Sequence, residues 1–173
     1  MRQRTAILTS VLVLAGCAGT PVVPRVEVDT RAAVAAVRAA GVASADELAV
    51  RPLVDPGVAD LQAQAAAHEA AGRLDAAAQA LDQALEIAAD DPALLQARAE
   101  VALAQGRFDE ALALAERSHA SGPKVGPLCR RQQEARRQVA LAQARLGDAG
   151  AATRAEAARR EREACTVTPP PRY

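Results

Sequence analysis

Ala70-Ala71-Gly72-Arg73-Leu74-Asp75-Ala76-Ala77 recurs as Ala104-Gln105-Gly106-Arg107-Phe108-Asp109-Glu110-Ala111, with the two glycines thirty-four positions apart. A repeat of this length is one supersecondary unit, which buries its apolar face by stacking on the next copy. After each glycine the apolar residues fall on one helical face. Leu74, Ala77, Leu81, Ala84 with Leu85, and Ala88 follow the first; Phe108, Ala111 with Leu112, and Ala115 follow the second. The i, i+3/i+4, i+7 spacing is that of an amphipathic helix. Asp55-Pro56 and Asp91-Pro92 each offer an N-cap carboxylate followed by Pro at the first helical position, and so start the helices that lead up to the glycines.

Composition agrees with helices. The chain has 173 residues, enough for one domain, and 50% of them are apolar. There is no Trp, however, and Phe108 and Tyr173 are the lone Phe and Tyr, so alanine and leucine must make the core. Alanine has the best helix propensity and loses no side-chain entropy. The expected class is all-α, with thin, closely packed helices. Each contact in such a core stabilises weakly, at ~25 cal/mol per Å² buried.

A helix–turn–helix unit of this period resembles the tetratricopeptide repeat. In that family a helix ends at a glycine, a short polar turn follows, and a second helix packs back with alanine at the closest approach. The matching small residues are Ala65 and Ala99 on the first helices and Ala77 and Ala111 on the second, and Pro123 stands where the family has its closing proline. The resemblance implies a short α-solenoid of about three hairpins, with two good repeats in residues 55–123. A third, over 124–165, is degenerate: Gly147 follows Gly106 by seven positions more than the period, and the extra residues are expected in a Ser121–Pro127 loop. Its first helix shows a stripe at Ala135, Val139, Ala142 and Leu146, while its second, over 150–163, carries Glu156 and Arg159 where the family has apolar residues. A polar outer face is expected of a terminal cap. Residues 29–54 read as N-terminal capping helices: Asp29-Thr30 caps a helix over 31–40 that stops at Gly41, and Ser44 with Glu47 forms a capping box for a short helix over about 45–50. An unrelated alanine-rich bundle is the competing architecture.

The N-terminus carries a second resemblance. Arg2 and Arg4 precede about ten apolar residues, too few for the ~20 that span a bilayer, and the run closes on Leu14-Ala15-Gly16-Cys17. This looks like the lipobox of a bacterial lipoprotein signal peptide. It implies that residues 1–16 are removed, that Cys17 carries diacylglycerol and a further acyl chain, and that two or more chains anchor the protein stably. Ala18, in place of an inner-membrane-retaining Asp, points to the outer membrane and its periplasmic face. Residues 17–28, with Pro21 and Pro24, form the tether. A plain secretory signal with a chance cysteine is the alternative. The Thr166–Tyr173 tail, with Pro169-Pro170-Pro171, reads as extended polyproline II.

An oxidising compartment makes the other two cysteines legible. Cys129 and Cys165 are equidistant in sequence from Gly147, so an antiparallel hairpin sets them side by side. We expect a disulfide closing the third hairpin; two free buried thiols or an intermolecular bridge are the alternatives.

Charge and chemistry narrow the function. The net charge is zero, but residues 45–120 hold five Arg against fourteen Asp or Glu, and 124–163 hold ten Lys or Arg against five acids. Basic-aromatic stripes are missing, which argues against nucleic acid. His68 is expected to pack on the inner side of the first repeat and His119 to meet the last carbonyls of its helix. No pair of histidines has metal-ligand spacing, and no nucleophile elbow or phosphate loop occurs, so neither enzyme activity, metal, other cofactor nor small-molecule substrate is expected. The repeat resemblance instead implies a groove for peptides or helices of other proteins, lined from the first helix of each repeat. By position this picks out Gln62 and Glu69, then Gln96, Glu100 and Leu103, with Arg137 and Leu141 from the third hairpin. The expected function is a membrane-anchored adaptor or scaffold in a cell-envelope complex, such as secretin or pilus assembly or regulation of peptidoglycan enzymes. The alternative is a self-assembling structural lipoprotein, its acidic repeats docking the basic hairpin of a neighbour.

Overall fold

Two aspartates open the repeats in the same way. Asp55 Oδ1 accepts the amides of Gly57 and Val58 at 2.8 and 3.3 Å, and Asp91 Oδ1 accepts those of Ala93 and Leu94 at 2.8 and 2.9 Å. Each satisfies donors that a helix N-terminus leaves orphaned, and Pro56 and Pro92 follow where no donor is needed. A computed structural model describes residues 27–43, 47 and 53–166. Its helices are α1 (Thr30–Ala40), α2 (Pro56–Ala70), α3 (Leu74–Ile87), α4 (Pro92–Ala104), α5 (Phe108–Ser121), α6 (Gly126–Arg145) and α7 (Ala151–Ala164), with no strand among the described residues. The fold is an all-α solenoid of three hairpins, α2/α3, α4/α5 and α6/α7, with α1 added.

The three hairpins turn alike. Gly72, Gly106 and Gly147 have φ of 72°, 73° and 100°, the left-handed region that glycine enters freely. The next residue's amide reaches back to the helix before it: Arg73 N to His68 O at 2.9 Å, Arg107 N to Ala102 O at 2.9 Å, Asp148 N to Gln143 O at 3.0 Å. This is one Schellman closure three times over, and it puts Gly147 in register with the other two.

The seven extra residues are not in a loop. The connections before α4 and α6 are both four residues long, whereas α6 runs for 20 residues against 13 in α4. Pro127 sits in the first turn of α6, where proline is tolerated, so the Gly/Pro cluster that reads as a loop is in part a helix start.

Alanine forms the core as composition implies. Val58, Ala65, Ala77, Leu81, Ala84, Leu94 and Val101 join α2, α3 and α4. Val34, Val37, Ala99, Leu103, Ala111, Ala115, Ala135 and Val139 join α1, α4, α5 and α6. Leu146 departs from its expected stripe: it is 57% exposed at the C-cap of α6. The last helix buries Ala151, Ala155 and Ala158 and exposes Glu156, with Arg159 lying between Glu156 and Glu163. Cys129 and Cys165 are joined by a disulfide with Cα atoms 5.7 Å apart, and Gly126 N donates to Cys165 O at 2.8 Å beside it.

The helix expected over 31–40 is α1, capped by Asp29 Oδ1 on Ala32 N at 2.9 Å and stopped at Gly41. The lipobox with Cys17, the tether up to residue 26, the helix expected over about 45–50, except Glu47, and the tail from 167 lie outside the described residues. No helix among the described residues is long and apolar enough to cross a membrane.

Candidate functional site

Helices α2, α4 and α6 are the first helices of the three hairpins, and their shared side is where the groove is expected. The structure puts α1 there. Val34 and Val37 pack with Ala99 and Leu103 of α4 and Ala135 and Val139 of α6. An amphipathic stripe of three residues suffices, because Ala99, Ala102 and Ala135 on the facing helices let α1 approach closely.

This placement divides the seven candidate residues. Gln96, Glu100 and Leu103 are fully buried, with Leu103 in the cluster that includes α1, and so are not an open binding surface. Burial here needs a partner for the Glu100 carboxylate, since an unpaired buried charge is very costly. Three groups supply it: Arg38 Nε of α1 at 3.0 Å, Arg131 Nη2 of α6 at 2.5 Å, and Gln96 Nε2 one turn earlier at 3.0 Å. Glu69 stays at the rim and accepts from Arg38 Nη2 at 2.7 Å. Burial alone lowers the Arg38 pKa, but the hydrogen bonds to Glu69 and Glu100 outweigh it and the net shift is upward. Gln62 is half-buried on α2. Arg137 donates to the buried Glu134 at 2.8 Å on its own helix, and Glu134 also accepts from Arg162 of α7 at 2.6 Å.

A cleft of about 670 Å³ remains between α1 and the first hairpin. Val34 and Ala35 form one wall, Ala66, Ala70 and Leu74 the other, with Arg38 and Glu69 at the rim. On the opposite flank of α1 a smaller cleft of about 510 Å³ includes Leu141 beside Ala32 and Ala36. Small apolar walls edged by charge suit a helix or an extended peptide, and nothing here positions an acid, a base or a nucleophile. No group of three or more His, Cys, Asp or Glu among the described residues could hold a metal.

The histidines take other roles than expected. His68 is half-buried and its Nδ1 accepts from Arg73 Nε at 3.1 Å across the first turn, so it braces the turn and does not fill the inner side. His119 turns its ring onto α6, with Gln132 Oε1 at 3.2 Å and Gln133 Nε2 at 3.3 Å. Its own carbonyl is met by Lys124 Nζ.

Sequence reasoning missed Arg38 and Arg130, which bind α1 into place, and Arg131, which pairs with the buried Glu100. Arg130 donates from Nε to Ala40 O at 3.0 Å and from Nη2 to Val42 O at 3.1 Å, and grips Glu47 with Nη1 and Nη2 at 2.5 and 2.7 Å. A cation on the last carbonyls of α1 also complements its dipole. The visible signal was Val34-x-x-Val37-Arg38, an apolar stripe edged by a cation, facing an acidic repeat region.

A tetratricopeptide-repeat family profile matches residues 68–146. The globular C-terminal domain of LpoP from P. aeruginosa is similar in structure, with a TM-score of 0.50 and 30% sequence identity; the match covers 62% of this chain and 99% of that domain. No curated protein matches the chain in sequence.

Proposed function

The chain belongs to the tetratricopeptide-repeat family, and from that premise we propose that it is a non-catalytic adaptor, held at the periplasmic face of the outer membrane, that docks a protein of the cell envelope. The observation that carries the reading is the inner face itself: α4 and α6 already accept a helix there, with an open cleft of about 670 Å³ between that helix and the first hairpin. The lipobox-like Leu14–Cys17 supplies the anchor, and residues 17–28 reach at most about 40 Å when fully extended. That reach keeps the domain close to the membrane, where peptidoglycan enzymes and secretin or pilus components are accessible. We favour regulation of a peptidoglycan enzyme, because one small domain on a short tether suits holding a single partner better than bracing a large ring.

Self-assembly has less support. The acidic region and the basic third hairpin already meet within the chain, at Arg131 on Glu100 and Arg130 on Glu47. Crosslinking in the native cell, with partners identified by mass spectrometry, tests the adaptor. Recovery of one envelope protein crosslinked through α2 is expected; crosslinks confined to copies of this chain would sink the reading.

A further inference from the structure

The helix that fills the inner face is built weakly for a core element. It has eleven residues, about three turns, below the length at which an isolated helix persists in water. It buries Ala33, Val34 and Val37, none larger than valine. Its polar ties lie at the two ends: Thr30 Oγ1 donates to Ala104 O at 3.0 Å, and Arg38 reaches Glu69 and Glu100 with a side chain still 50% exposed. The Arg38–Glu69 pair is open to water on both sides and is worth little; only the Glu100 end of the Arg38 fork is buried. Arg130 closes the far end on Ala40 O, Val42 O and Glu47.

The surface beneath tolerates uncovering. Were α1 to leave, Glu100 would keep Arg131 and Gln96, so no buried charge would be orphaned. Gln96 is fully buried, and its Oε1 has no hydrogen-bond partner among the described residues.

We propose that α1 is a displaceable plug, seated in the docking face in place of a partner helix of like chemistry: a stripe of small apolar side chains flanked by an arginine, matching Val34, Val37 and Arg38. This rests on the adaptor reading and adds its regulation. Partner and plug compete, so docking is gated by the stability of the α1 seat. Because α1 follows the proposed tether in sequence, unseating it lengthens the chain that could extend ahead of the first repeat from positions 17–28 to positions 17–54. The maximum reach rises from about 40 Å to about 130 Å.

Native-state hydrogen exchange on the full chain tests the plug. The amides of α1 should exchange at least about tenfold faster than those of α4, through an opening that leaves α4 and α6 protected. Arg130→Ala should speed α1 exchange further and leave α4 unchanged. Exchange of α1 in step with α4 in both proteins overturns the proposal. A second arm uses a labelled peptide of residues 27–43 as the probe. Full-length Val37→Asp, whose own α1 cannot seat its charged side chain, should bind the peptide at least about tenfold more tightly than the unaltered chain; equal binding overturns the proposal. Neither arm needs an envelope partner, so failure of the plug is distinct from failure of the adaptor reading, which the cellular crosslinks decide.

Discussion

Arg131 Nη2 lies 2.5 Å from Glu100 Oε1, and that carboxylate is 1% exposed while the guanidinium is 32% exposed. The pair joins the second repeat to the third, and Arg38 ties the N-terminal helix to the same carboxylate. Glu100→Gln should therefore destabilise the fold by about 1–3 kcal/mol, the cost of weakening charged hydrogen bonds to a buried group. Glu100→Lys, which from the sequence alone would test the groove, should instead prevent stable folding, because three cations would then meet where water is excluded. Chemical denaturation followed by circular dichroism checks both; a Glu100→Lys protein as stable as its parent would refute the buried placement.

The disulfide closes a loop with its cysteines 36 positions apart. The chain-entropy model assigns such a loop roughly 4 kcal/mol, with about 2–4 kcal/mol typical of measured bridges. Double replacement, Cys129→Ser with Cys165→Ser, should lower the melting temperature and make α7 the first site of protease cleavage. Cleavage elsewhere first would show that the alanine face of α7 holds without the bridge.

Two glycines that look alike in sequence should respond differently to alanine. Gly106 has φ of 73° with nothing near a Cβ, so Gly106→Ala should cost about 1–2 kcal/mol, the left-handed penalty alone. At Gly122 a Cβ would sit 2.7 Å from Ser118 O, 2.8 Å from Gln132 Nε2 and 3.0 Å from Pro92 Cβ. Gly122→Ala should be the more destabilising of the two in the same denaturation assay, since backbone must move.

Acid should loosen the third turn late, at the low end of the carboxylate range. Asp148 is held below its ordinary value by Arg154, whose Nη2 donates to Oδ2 at 2.6 Å, and by the Gly150 amide on Oδ1 at 2.9 Å. A folded pKa below the unfolded value means that this contribution is present above the ordinary aspartate range and is lost as pH falls through the folded pKa. Carboxyl titration by NMR should show Asp148 protonating below the ordinary aspartate range, and Asp148→Asn should remove the acid-dependent step. An ordinary titration for Asp148 would refute the clamp.

Ala66 lines the open cleft and is exposed. Ala66→Glu should leave stability within about 0.5 kcal/mol, yet abolish crosslinking to the envelope partner by charging and filling the cleft. A full crosslink yield from a folded Ala66→Glu protein would move the docking site elsewhere.

The hairpins were legible because their signals are local. Asp55-Pro56, Asp91-Pro92 and the three turn glycines each act within a few residues, so reading them needs no knowledge of distant contacts. The candidate groove was only partly legible. Ala33, Val34 and Val37 announce a helix with one apolar side, but no local rule says which surface receives it, and α4 begins only at Pro92, beyond a whole intervening hairpin. The loop expected over 121–127 failed for a related reason: Gly126 and Pro127 suit a turn and a first helical turn equally, and tertiary packing on α5 and α7 decides between them.

Counted back from the shared glycine turn, residues 126–132 have no counterpart in the second repeat. Seven residues fall only about 20° short of two helical turns. The insertion therefore lengthens α6 by about 10 Å while keeping Ala135, Val139 and Ala142 in phase with the face they share. Cys129, Arg130, Arg131 and Gln132 all stand on this added length. The covalent lock on α7, the clamp of Arg130 on the end of α1, the pairing of Arg131 with the buried Glu100 of α4, and the brace to Ser118 thus come from a single in-phase extension of an ordinary repeat. An extension of five residues would have turned the same four side chains through about 160° from where they stand, away from every partner they hold.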